Sequence, residues 1–182
     1  MEKILLTYEK DESDIPAFAE NYYKYSYREK KLRIFAMIVM YIVIAVLSYP
    51  VHKRIEEGLI TYLALVLVVS IIMTYFGWKG FEKDRIGKIK RELSTQNMSV
   101  LGEYRAELSE EEIHVIYRPN NPNRERNMTN NWEEISYYTR ENEHFFIFME
   151  NPSFVYHIIA GDKANDVNYF LSQKLNNKTK RE

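Results

Sequence analysis

The chain has no cysteine among its 182 residues. That excludes disulfide frameworks, thiolate zinc sites and cysteine nucleophiles together, and it fits a domain facing a reducing compartment. Glycine and proline are sparse, at 6 and 5, and the glycines form neither a Gly-Lys-Ser/Thr loop nor a phosphate cradle. Net charge is almost nil, with 25 basic against 26 acidic side chains, so the bulk electrostatic footprint of a nucleic-acid binder is missing. The most informative absence is local. From Ile34 to Val51, and again from Leu59 to Trp78, there is no Asp, Glu, Lys or Arg.

Those two runs are rich in Leu, Ile, Val and Phe. At 1.5 Å per residue they extend about 27 and 30 Å as helices, the thickness of bilayer hydrocarbon. Each large aliphatic residue contributes about −0.3 to −0.6 kcal/mol near the bilayer centre, whereas one central lysine would cost about 3 kcal/mol. A pair of core helices in a soluble protein is the competing reading, but the rest of the chain is too short to enclose them. The charged, Tyr-rich stretch before the first run argues against a cleavable signal peptide.

Orientation follows from the flanks. Lys24, Arg28, Lys30, Lys31 and Arg33 precede the first run, and Lys79, Lys83, Arg85, Lys88, Lys90 and Arg91 follow the second. The connecting His52 to Gly58 carries only Lys53 and Arg54 against Glu56 and Glu57. The positive-inside bias predicts a multi-pass hairpin with both termini cytoplasmic and a short outer turn.

Around the hairpin the periodicity predicts a coarse fold. Ile4 to Tyr8 reads as a strand, followed by a helix in which Ile15, Phe18, Ala19, Tyr22 and Tyr25 recur at helical spacing, capped by Asp11, Ser13 or Asp14. This helix is expected to approach anionic headgroups and run into the first span. Residues 79–96 read as a helical linker with Phe81, Ile86, Ile89 and Leu93 apolar, ending in a polar break from Ser94 to Ser99. Beyond it the period changes to two: Tyr104, Ala106 and Leu108, then Ile113, Val115 and Tyr117. Arg118 to Asn131 is Asn-rich and reads as a long loop or weak strand. Ile135 to Thr139, His144 to Met149 and Phe154 to Ile159 complete a β-meander, joined by turns at Arg140 to Glu143 and Asn151 to Ser153. A last helix, capped near Asp162 or Asn165, puts Val167, Phe170, Leu171 and Leu175 on one face.

Four features carry a resemblance: Leu101-Gly102-Glu103-Tyr104 opening the sheet, Trp132-Glu133-Glu134-Ile135 between strands, the aromatic strand His144-Phe145-Phe146-Ile147-Phe148, and Tyr156-His157-Ile158-Ile159 before the last helix. With them the chain resembles the YcxB-like family of small bacterial membrane proteins, over most of its length. It departs at Ala160, where a proline is common in that family. The resemblance implies a strand and helix (1–33), a two-helix transmembrane hairpin (34–78), the linker, and a cytoplasmic antiparallel β-sandwich similar to a pleckstrin-homology (PH) fold (97–178), seven-stranded and capped by the C-terminal helix. The expected fold class is therefore an α+β membrane protein in which Ile4 to Tyr8 folds back to join the sheet.

The chemistry-bearing residues give no reaction. His52, His114, His144 and His157 lack metal-ligand spacing, and no serine has a nucleophile-elbow context. The expected function is a membrane-anchored, non-enzymatic PH-like binding or scaffold module without cofactor, metal, nucleic acid or small-molecule substrate. Its partners are membrane lipids, and a protein partner or a second copy of the chain. The contact residues expected are Lys30, Lys31, Arg33, Lys79, Lys83 and Arg85 at the interface, with Arg124, Arg126 and Arg118 in the Asn-rich segment. Two alternatives stand beside it: an oligomeric transport or channel accessory subunit, for which the spans supply no ionisable relay, and a membrane-bound hydrolase, which needs His114, His144 or His157 to converge with carboxylates in a pocket.

Overall fold

The computed structural model describes residues 3–54, 59–94, 101–119, 125–150 and 155–175. The elements run β1 (Ile4–Lys10), α1 (Asp14–Tyr25), α2 (Tyr27–Arg54), α3 (Leu59–Ser94), β2 (Gly102–Leu108), β3 (Glu112–Pro119), β4 (Arg126–Asn131), a 3-10 turn at Trp132–Glu134, β5 (Ile135–Glu141), β6 (His144–Met149), β7 (Val155–Ile159) and α4 (Ala164–Lys174). Part or all of the predicted outer turn, the polar break after Ser94, Arg124 and the turn Asn151 to Ser153 lies outside the described residues.

The strands form two antiparallel sheets, a four-stranded one ordered β1-β2-β3-β4 and a three-stranded one ordered β5-β6-β7. The strand at Ile4–Lys10 does join the sheet: it pairs along its length with β2, from Ile4 opposite Leu108 to Lys10 opposite Gly102. The three helices α1 to α3 are therefore an insertion into a β-hairpin. The weak-strand reading of the Asn-rich segment is realised in β4, which pairs with β3.

One hydrophobic core lies between the sheets. The first contributes Ala106, Leu108, Ile113 and Val115, the second Ile135, Phe145, Ile147 and Ile158, and α4 adds Val167, Phe170 and Leu171. Fully burying such side chains is worth about 1.5–3 kcal/mol each. Trp132 fixes one corner, stacking obliquely on Phe170 at 5.6 Å and donating its indole N–H to the Ser109 carbonyl at 3.0 Å. The β5-β6 turn is tight, with Asn142 at φ 55, a left-handed conformation that Asn tolerates better than other side chains.

Helix boundaries depart from the sequence reading at the caps and at the end of α1. Neither Ser13 nor Lys163, the residues preceding α1 and α4, makes a side-chain cap; instead Asp11 accepts from the Ser13 amide and hydroxyl, and a 3-10 turn leads into α4. The helical stretch read for the linker continues the second apolar run without a break, since α3 extends to Ser94. However, α1 does not run into the first span. The chain breaks at Ser26, which is extended at ψ 135, and its hydroxyl accepts the Glu29 amide at 3.4 Å to start α2.

Candidate functional site: the basic collar and the α1 joint

Helices α2 and α3 run antiparallel. Arg85 meets Glu29 at one level, and the Met40 sulfur lies beside Gly77 further along. Beyond the Arg85–Glu29 level the pair turns its apolar side chains outward: Phe35, Leu47 and Ile60 are 65%, 70% and 83% exposed. All the exposed large apolar side chains among the described residues, except Leu5, Tyr27 and Tyr169, fall between Ile34 and Tyr75. By length and composition, one helix among the described residues, Tyr62–Ser94 within α3, suffices to cross a membrane, where the sequence alone predicts two.

A basic collar borders this apolar belt. Lys30, Lys31, Lys79 and Lys83 are exposed. The ammonium of Lys31 lies 4.5 Å from the Tyr27 ring centre, and that of Lys79 lies 5.1 Å from Tyr75, cation–π pairs that leave the charge in water. Arg33 is half-buried; it donates to the Lys24 carbonyl at 2.9 Å and covers Tyr23. Arg85 is not a free surface cation. Its guanidinium grips Glu29 through two bonds of 2.6 and 3.1 Å, with the glutamate side chain only 2% exposed, and that hydrogen bonding raises the Arg85 pKa against the opposing effect of burial. Arg118 pairs with Glu125 at 3.7 Å, and Arg126 is exposed at the start of β4. The register Lys10-Gly102-Pro119 puts this second basic set at the end of the sheet from which β1 leads to α1.

The element that joins collar and sandwich is α1, which is packed on two sides. Ala19 and Tyr23 are buried against Ile89 of α3, with Ile86 and Leu93 alongside. The opposite side covers the outer face of the second sheet, where Phe18 and Tyr25 pack on Tyr137, Phe146 and Phe148. Polar bonds fix the fit. The buried Asn21 amide donates to Glu141 at 2.7 Å and accepts from the Thr139 hydroxyl at 2.9 Å, and the Tyr137 hydroxyl donates to the Tyr25 carbonyl. On its solvent edge Glu20 pairs with Lys90 of α3 at 3.6 Å.

At the N-terminal end of α1 lies a cluster of ionisable groups. His144 and His157 stack at 5.2 Å with a ring-nitrogen contact of 2.9 Å, and Asp14 approaches His144 to 3.9 Å. Phe146 stacks on His157 at 4.6 Å and Phe18 flanks it at 5.6 Å. Burial, then the nearby Lys10, push the His157 pKa down to about 2. Lys10 itself is 6% exposed, with its ammonium 3.9 Å from the Tyr104 ring centre, and burial lowers its pKa to about 7 against the pull of Asp14. The structure thus brings two of the three strand histidines together. His114 stands apart, half-buried in β3 beside its hydrogen-bond partner Asn127. No group of three or more metal-ligating side chains occurs among the described residues.

Among the described residues two grooves open on the sandwich. One of about 610 Å³ is bounded by β4, Glu134, Met149 and Glu150, and one of about 450 Å³ by Lys3, Leu5, Lys163 and Tyr169. Neither is lined by a histidine. Comparison of the chain with protein-family models, with curated proteins and with solved structures finds no match.

Sequence reasoning missed Lys10, Asn21 and Glu29. A signal existed for Glu29, the one acid in the basic stretch from Arg28 to Arg33, placed three residues after Ser26 as in a capping box. Lys10 and Asn21 carry no comparable mark.

Proposed function

We propose that the chain is a YcxB-like, membrane-anchored, non-enzymatic binding or scaffold module. In this reading α2 and α3 are both transmembrane, forming a two-pass hairpin in a bacterial inner membrane with both termini cytoplasmic. The two sheets and α4 form a PH-like sandwich held at the cytoplasmic surface, and Lys30, Lys31, Arg33, Lys79 and Lys83 contact anionic lipid headgroups. Arg85 leaves that set, because its charge is committed to Glu29.

The observation that carries the reading is the exposed apolar belt bordered by the basic collar. Soluble monomers rarely leave contiguous apolar surface beyond a few hundred Å² facing water. Lysines next to such a belt gain about 1 kcal/mol each from an anionic leaflet. The four-plus-three strand order with a closing helix supports a PH-like sandwich. The hydrolase alternative asked for His114, His144 or His157 to converge with carboxylates in a pocket; His144 and His157 do meet beside Asp14, but neither described groove is lined by a histidine, which counts against it.

Topology is tested by single cysteines at Glu57 and Glu103 in this otherwise cysteine-free chain, treated with an impermeant thiol reagent on intact cells. Labelling at position 57 with protection at 103 is expected; the reverse pattern overturns the orientation. For the headgroup contact, the intact protein is reconstituted in bilayers of mixed anionic and neutral lipid and assayed for selective retention of the anionic lipid on purification. The quadruple variant Lys30→Gln, Lys31→Gln, Lys79→Gln, Lys83→Gln is expected to lose that retention. Equal retention by the variant removes lipid as the partner of the collar and leaves protein recognition.

A further inference from the structure

We propose that Lys10, Asp14, His144 and His157 form a proton-operated latch that seats α1 on the second sheet, so that acidification loosens the sandwich from its helix pair. The latch stands on the contacts of α1, whether or not α2 and α3 lie in a bilayer.

Its geometry is that of a hinge with a buried polar pin. Lys10 is the last residue of β1 and Asp14 the first of α1, so Asp11 to Ser13 is all that separates the strand from the helix it must position. The Lys10 ammonium is enclosed by Tyr8 at 5.6 Å and Tyr104 at 3.9 Å. The neighbouring charged or titratable groups come from each packed element: Asp14 from α1, His144 from β6 and His157 from β7. Glu9 and Glu103, opposite each other on the neighbouring strands, alternate to the other face. Around the rings, Phe18 of α1 closes on His157 and Phe146. Phe18 thus both seats α1 on the second sheet and covers His157.

The sign follows from which form burial favours. Lys10 falls from the ordinary 10.5 to about 7 in the folded protein, so the seated state is favoured while the amine is neutral. That advantage is complete at alkaline pH, declines as pH falls from about 10.5 to about 7, and is constant below. His157, held down to about 2 against an ordinary 6.5, adds a second loss that grows as pH falls below about 6.5. One carboxylate, Asp14, then faces both the ammonium and any proton placed on the imidazole pair. Two cations against one anion in a desolvated space favour separation.

The test is backbone hydrogen exchange on the intact protein in detergent micelles at about pH 9, 7 and 5, normalised for intrinsic exchange rates. Protection of Phe18 to Tyr25 is expected to fall at least about tenfold across this range while Val115, inside the first sheet, keeps its protection. Lys10→Met is expected to abolish the change between pH 9 and 7. His144→Gln, at a half-exposed position, is expected to keep that limb and alter only the acid one. Flat protection of α1, joint loss at α1 and Val115, or an unchanged alkaline limb in Lys10→Met overturns the latch. Should Lys10→Met fail to fold, the side-chain nitrogen of Lys10 in the unaltered protein decides: titration near 7 supports the latch, and titration near 10.5 overturns it.

Discussion

The two sheets of the sandwich are made by one chain around one core, yet they bury their residues differently. In β2 the inner Tyr104, Ala106 and Leu108 alternate with exposed Glu103 and Arg105. In β6 every residue from Phe145 to Met149 is buried. The difference is α1, which covers the outer face of the second sheet and leaves that of the first wet. A strand buried on both faces has no use for alternation. The lesson is mechanical: the second sheet is the side by which the sandwich is clamped to the helices, and the first sheet is free to present charge.

Substitutions on the two outer faces are the sharpest way to break this comparison. Phe146→Ala, fully buried beneath Phe18, is expected to cost about 4 kcal/mol in denaturation of the detergent-solubilised protein, and to raise hydrogen exchange throughout α1. Arg85→Met strands the buried Glu29 between α2 and α3 and is expected to cost about 3 kcal/mol, discounted for the partial exposure of the arginine. The double change Glu29→Met with Arg85→Met is expected to recover most of that loss, which a cycle of the four proteins measures. Asn21→Ala leaves the Thr139 hydroxyl and the Glu141 carboxylate without their shared amide and is expected to cost about 2 kcal/mol. Arg105→Ala, on the open face of the first sheet, is expected to stay within about 0.5 kcal/mol of the unaltered protein. A cost for Arg105→Ala equal to that for Asn21→Ala would show that the first sheet is covered as well.

Legibility in the sequence followed local period. The alternation at Tyr104 to Leu108 and at Ile113 to Tyr117 is sufficient to find β2 and β3, and the apolar face of α4 to find its place over the core. The helix break at Ser26 was harder, because apolar spacing carries through it from Tyr25 toward the first span. Ser26 and Glu29 mark the break only when read as a cap. The joint was the least legible part. A helix with one apolar stripe predicts one buried side, whereas α1 is held on two, and the second depends on Asn21 finding partners at Thr139 and Glu141 far along the chain. In the same way the meeting of His144 with His157 follows from their diagonal places on adjacent strands, His144 opposite Ile159 and His157 opposite Phe146, and the isolation of His114 from its place in the other sheet.

The pairing of Lys10 with Gly102 also sets an order of events at the ribosome. At about 5–20 residues per second, β1 emerges roughly 5 to 20 seconds before the strand it must pair with. During that interval the nascent chain holds an unmatched strand edge while its two longest helices are still being delivered. The sandwich is therefore a late product of biogenesis, and a delay in seating those helices would prolong the period in which β1 is open to pairing with a neighbouring chain.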